Sequence, residues 1–353
     1  MRQISRYRPV LMGLASLWIY YFHVFPMSLI EQFRRPTVIE TYFHDLGFCG
    51  VDIFLVLSGF GLYYALSAHP VESLRDYGTF AGRRLSRIYR VFFPVTVVIA
   101  LVDRWTVGEF FGKLTGVYQL ATNVYNYLWY VPCIVLFYLL VPGYFFLLRR
   151  CPKKGAMTAG AVAACFGINL LLRGHVREDL YAIFNRVPVF LVGLYFGYHS
   201  RSGKSLRGWH YGVCAAVLAI GIVYSYAQAH MWVPEIYPCF SAQINLLIAP
   251  PLVLLVSRGL ERAAAWKRPA WLRQVRHGIG AFLAAMGGVS LEFYVVQEWI
   301  CAKTRNSGTL LALARYNGWG QQLVGLVLTA VATVGLHWVA GKLQRRRTPG
   351  TGN

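Results

Sequence analysis

Four ionisable side chains stand inside apolar stretches of the chain, where an isolated charge is costly. They are His23 in "LMGLASLWIYYFHVF", Asp52 in "GFCGVDIFLVLSGFGLYY", Arg186 in "NRVPVFLVGLYFG" and Glu292 in "SLEFYVVQE". A neutral imidazole can accept a proton from a hydroxyl, and a nearby carboxylate can orient the ring or raise its basicity. The chemistry these residue types offer is general acid–base catalysis at a depth water reaches poorly. Each also has a structural reading: His23 as a helix–helix hydrogen-bond partner, Asp52 and Arg186 as an ion pair, Glu292 satisfied by backbone or Ser290. A second constellation is "GRRLSRIYR", where helical spacing puts Arg83, Arg87 and Arg90 on one face and also aligns Arg84 with Arg87. Guanidinium forks suit phosphate; anchoring at lipid headgroups is the alternative. Seven cysteines show no C-x-x-C or His/Cys ligand spacing, so no metal site is expected. Cys49, Cys239 and Cys301 lie near the expected outer ends and permit one disulfide; otherwise the cysteines read as small core residues.

The elements that must hold these residues follow from composition. Of 353 residues 56% are hydrophobic and only 14% charged, against about a quarter charged in a soluble domain. Charge is too sparse to coat a globular surface, and the apolar content too high for disorder. Ten apolar runs are long enough, or nearly so, to cross a hydrocarbon core that takes about 20 helical residues. They are Val10–Phe25, Gly47–Ala68, Val91–Asp103, Tyr127–Leu148, Gly155–Leu172, Leu180–His199, Tyr211–Gln228, Phe240–Val256, Gly278–Cys301 and Gly320–Ala340. The runs are continuous rather than alternating, which predicts an all-α, polytopic transmembrane bundle and not a barrel. The first lacks a small-residue cleavage site and reads as an uncleaved helix.

The net charge of +21 raises the question of nucleic acid, but Lys and Arg come in short clusters between apolar runs. With both termini cytoplasmic, 25 of the 35 fall on the inner side and nine outside. That bias is the signature of orientation in a bilayer. Residues 1–341 form one membrane domain, followed by a basic, disordered cytoplasmic tail over 342–353. Helix rise then places His23, Asp52, Arg186 and Glu292 in one layer about 8–10 Å below the outer surface. Asn185 and Asn245 fall near it, as expected of a polar cavity opening outward.

In order along the chain, these segments resemble the acyltransferase 3 family of integral membrane acyltransferases. The first helix is similar to the family's opening helix, whose closing histidine maps onto His23. "GVDIFLVLSGF" resembles its G-V-D-x-F-F-x-L-S-G-F segment, with Asp52 and Ser58; "RRLSRIYRVFFP" resembles R-x-x-R-I-x-P, met by Arg84 and Arg87. "LWYVPCIVLFYLLVP" is similar to its W-Y-L helix, with Trp129 and Tyr130. "NRVPVFLVG" matches R-x-P-x-F-L-x-G from Arg186, and "SLEFYVVQE" resembles the late S-L-E-x-Y-L-x-H, with Glu292. Two positions depart: Met12 stands where the family's R-x10-H arginine would be, with Arg8 a turn below, and Gln297 replaces the late histidine.

The resemblance implies a multi-pass enzyme of a bacterial inner (plasma) membrane that moves an acyl group, commonly acetyl from acetyl-CoA, to a hydroxyl of an extracytoplasmic polysaccharide or lipid-linked sugar. It implies His23 as general base, with Asp52 orienting it, and Arg84 and Arg87, with Arg83 and Arg90, at the donor's phosphates. Ser58, Trp129, Tyr130, Arg186 and Glu292 are pocket candidates. Acyl-CoA is a substrate, no bound cofactor is expected, and the partners are the bilayer, acyl-CoA and a glycan. A transporter or flippase is the rival reading; it predicts paired repeats with broken helices, and the sequence shows neither.

Overall fold

The computed structural model describes residues 1–24, 35–118, 128–171, 183–230, 240–266, 269–306 and 319–345. Among them every regular element is helical. In chain order these are α1 (Arg2–Val24), α2 (Val38–Asp45), α3 (Cys49–Ala68), α4 (Leu74–Val102), α5 (Val107–Thr115), α6 (Tyr130–Arg150) and α7 (Lys154–Leu171). They continue with α8 (Val187–Arg201), α9 (Gly208–Ala229), α10 (Phe240–Ala265), α11 (Ala270–Gly288), α12 (Ser290–Asn306) and α13 (Trp319–Arg345).

Six stretches among the described residues are long and apolar enough to cross a membrane alone, and the bent pair α11–α12 makes a seventh. The described parts of the expected spans lie mostly on helices, but α1, α8 and α10 do not meet that standard unaided. The reasons are local: α1 opens with Arg2, Arg6 and Arg8, α8 has 15 residues, and α10 carries Pro250, Pro251, Arg258 and Arg262. Three readings change. The arginine cluster does not precede the third span but lies within α4, one helix of 29 residues. The final basic segment begins as helix, because α13 runs to Arg345; 346–353 lie outside the described residues. The ninth span breaks at Val289, where α11 and α12 meet at 77°. A broken helix was not expected. Gly287 sits so close to α1 that a Cβ there would lie 1.9 Å from the Pro9 carbonyl oxygen.

Two short helices, α2 and α5, lie between the expected spans. Each opens on a capping box: Glu40 reaches back to the Thr37 backbone and Thr37 accepts from the Glu40 N–H, and Thr106 and Glu109 repeat the pattern. The T-x-x-E spacing is the signal that would have found them.

The chain divides into two compact units: one of Met1–Ala15, Phe48–Thr79 and Leu136–Gly288, the other of Ser16–Gly47, Phe80–Val135 and Val289–Asn353. In the first, α3 packs on α8 and α10, α8 also touches α7, and α9 lies on α10. Glycines set the α3–α8 approach. A Cβ on Gly59 would fall 2.4 Å from the Phe190 carbonyl oxygen, and one on Gly193 2.3 Å from that of Val56. Small residues let membrane helices approach to backbone contact, so the glycines of "LSGF" and "FLVG" are packing residues. In the second unit, α12 packs along α13.

Within each unit, segments assigned to one side meet one another. Arg149 pairs with Glu72 at 3.0 Å and Gln3 donates to the Tyr211 hydroxyl, joining segments expected inside. Lys303 pairs with Asp103, joining residues expected at the outer side, and Trp18 of the first expected span stacks on Phe43 of the outer segment.

Candidate active site

His23 is the penultimate residue of α1. A carboxylate approaches it, that of Glu298 on α12, with Nε2 and Oε2 3.9 Å apart. The side chains are 16% and 11% exposed, which leaves the pair shielded yet reachable. Three helices fix this geometry. Tyr20, one turn before His23, packs its ring 5.4 Å from Phe293 on α12. Tyr294, one turn before Glu298, meets Tyr130 of α6 edge-on at 5.1 Å, and Trp129 lies against Tyr130. Asp103, just past α4, accepts from the Trp299 indole at 3.1 Å and pairs with Lys303 at 2.6 Å. His23, Trp129 and Tyr130 are therefore brought to one helix, α12.

Sequence reasoning missed Glu298. It weighed Glu292 instead, on the assumption of an unbroken ninth span. With the helix starting at Ser290, Glu292 sits in its first turn and pairs with His337 of α13 at 2.9 Å, about 9 Å along α12 from Glu298. The signal was present as a second acidic residue in an apolar helix. Gln297, at the position of the family's late histidine, is buried, with no hydrogen-bond partner for its amide oxygen.

The remaining polar layer assembles in the other unit. Asp52, in the first turn of α3, is fully buried; its carboxylate accepts from the Asn245 amide at 2.5 Å and lies 3.5 Å from the Arg186 Nε. Asn245 in turn accepts from the Cys49 thiol, and Asn169 donates to Asn185 at 2.7 Å. The parallel α3–α8 contact explains the pairing: Arg186 caps α8 at the level of Asp52 once Gly59 meets Phe190. Asp52, Arg186, Asn185 and Asn245 thus come together, as their depths suggested, and Asn169 joins them. Ser58 is buried on α3 next to Gly59. Arg8 lies against Gly61, whose Cβ would be 3.1 Å from its guanidinium. The described cysteines are free thiols, and Cys239 lies outside the described residues.

The arginines of α4 follow helical spacing. Arg83 and Arg87 are exposed, while Arg84 and Arg90 are half-buried, Arg84 over the Phe80 ring and Arg90 donating to the Ser86 carbonyl. Among the described residues no carboxylate pairs with Arg83 or Arg87, so both forks remain available to an anion.

A shielded histidine with a carboxylate 3.9 Å away is an arrangement that can move a proton where water is scarce. The acyltransferase domain model matches residues 10–338, nearly the whole chain, and the chain belongs to that acyltransferase 3 family. It is a membrane acyltransferase by that membership. Comparison with curated proteins and with solved structures gave no match.

Proposed function

We propose that the protein transfers an acyl group, acetyl in the simplest case, from cytosolic acyl-CoA to a hydroxyl of an extracytoplasmic polysaccharide or lipid-linked sugar at the envelope of a bacterial cell. The carrying observation is the His23–Glu298 approach at the end of α1. His23 takes the proton of the acceptor hydroxyl as its oxygen attacks the thioester carbon; the C–S bond breaks and the thiol leaves protonated. Glu298 stabilises the imidazolium in between. Apo contacts of this kind are often long and tighten with substrate. Asp52 supports the polar layer through Arg186 and Asn245, alongside the orienting role its motif implies. Arg84 and Arg87, with Arg83 and Arg90, hold the donor's phosphates; the slender, uncharged pantetheine arm suits passage among helices. Trp129, Tyr130 and Gln297 border the acceptor.

The break at Val289 is the one feature that favours transport. Transport folds use matched pairs of broken helices, and the described residues contain a single bent pair.

Arg84→Ala and Arg87→Ala are expected to weaken CoA binding to the purified protein, each by roughly 1.5–3 kcal/mol of charge-assisted contact. Lys154→Ala is the control, since its ammonium already serves the Cys151 carbonyl at 2.8 Å. Equal behaviour of all three would reduce the arginines to membrane anchors. The scheme also has ten spans and both termini inside. Cysteine labelling in intact cells should therefore reach positions in 31–45 and spare positions after Lys342; labelling of the C-terminal segment from outside would overturn it.

A further inference from the structure

Three segments distant in sequence close a cavity of about 400 Å³ within the first unit. The start of α1 supplies Arg2 and Gln3, the α8–α9 turn supplies Ser200, Lys204 and Ser205, and α10 supplies Arg258 and Glu261, with Tyr211 of α9 alongside. Gly203 makes the turn possible: its φ of +72° is left-handed, and Lys204 and Ser205 follow it into the cavity wall.

The lining is rich in donors. Glu261 is its only carboxylate and is engaged by Arg258. Arg2 and Lys204 have no acidic partner among the described residues. Arg258 also keeps a buried Nε with no acceptor, a cost a ligand oxygen would relieve. The hydroxyls have protons to give. Tyr211 accepts from Gln3 at 3.0 Å and Ser200 accepts from the Tyr64 hydroxyl at 2.9 Å, so each retains its own O–H. Once Arg258 and Glu261 offset each other, the charges of Arg2 and Lys204 remain, beside the Met1 amino group, whose pKa burial lowers; a phosphate monoester carries about −1.5 to −2 near neutral pH.

We propose that this cavity binds a phosphate monoester, gripped by Arg2 and Lys204 with Arg258, Tyr211 and Ser200 completing its hydrogen bonds. The site is separate from the arginines of α4 and does not rest on their assignment to the donor. The same group is offered by a soluble metabolite or by the headgroup of phosphatidic acid, and the test separates them.

Full-length protein in nanodiscs is titrated with glycerol 3-phosphate and, separately, prepared with phosphatidic acid or with phosphatidylcholine alone, with binding read by native mass spectrometry. Retention of at least one phosphomonoester over phosphatidylcholine is expected. Arg2→Gln and Lys204→Gln should each weaken it roughly tenfold or more, and Arg262→Gln, one residue beyond Glu261 and exposed, should not. Binding of glycerol 3-phosphate identifies a soluble ligand; binding of phosphatidic acid alone identifies a lipid. Binding of neither, or equal binding by wild type and both cavity variants, overturns the proposal. Lys204 lies in a turn, so Lys204→Gln leaves the helices intact and keeps the result interpretable.

Discussion

His23→Ala is expected to insert and fold as the wild type while losing acyl transfer by about 100- to 10,000-fold, the usual cost of removing a general base. Imidazole ordinarily titrates near pH 6.5, so the neutral ring can accept a proton at neutral pH. Glu298 is the group that steadies the resulting cation. His44→Ala should retain most activity, because that ring meets Asp45 and the Tyr21 ring, an aromatic neighbourhood rather than a catalytic one. His337→Ala should also retain most activity, because its partner is Glu292. The check is transfer from labelled acyl-CoA by equal amounts of purified protein. Near wild-type transfer by folded His23→Ala would remove this histidine from the reaction.

The second large effect is on stability. Asp52→Ala removes the carboxylate that faces the buried Arg186 guanidinium and accepts from the Asn245 amide. Breaking a buried pair by removing one partner costs about 3–5 kcal/mol. A marked fall in thermal unfolding temperature is therefore expected for Asp52→Ala in detergent. Removing both charges, as Asp52→Leu with Arg186→Met, should recover much of the loss, because no charge is then stranded. Wild-type melting of Asp52→Ala would show that the pair contributes nothing to the fold.

Helical class, membrane embedding and family were legible in the sequence because they rest on run length, charge placement and motif order. These properties survive errors of several residues at helix ends. The Asp52–Arg186–Asn245 layer was legible for the same reason: depth along a helix follows from position alone. Glu298 was not. Which acidic residue of "SLEFYVVQEWI" meets α1 is decided by a tertiary contact, His23 with Glu298. The two residues lie 275 positions apart in sequence, and no local pattern encodes their approach. The short helices α2 and α5 lie outside the expected spans because those were sought by apolar length, whereas the signal for α2 and α5 is their capping boxes. The phosphate cavity could not be foreseen, since its cations come from three segments whose charges each read as ordinary membrane anchoring.

The central claim is acyl transfer to an envelope glycan, and mass spectrometry of surface glycans tests it most directly. Cells with the wild-type gene, with the gene deleted and with His23→Ala are to be compared. The account predicts the same glycan in all three, carrying its acyl group only with the wild type. A glycan whose acylation is unchanged by deletion would contradict it, as would loss of the whole glycan, which is the mark of a transporter.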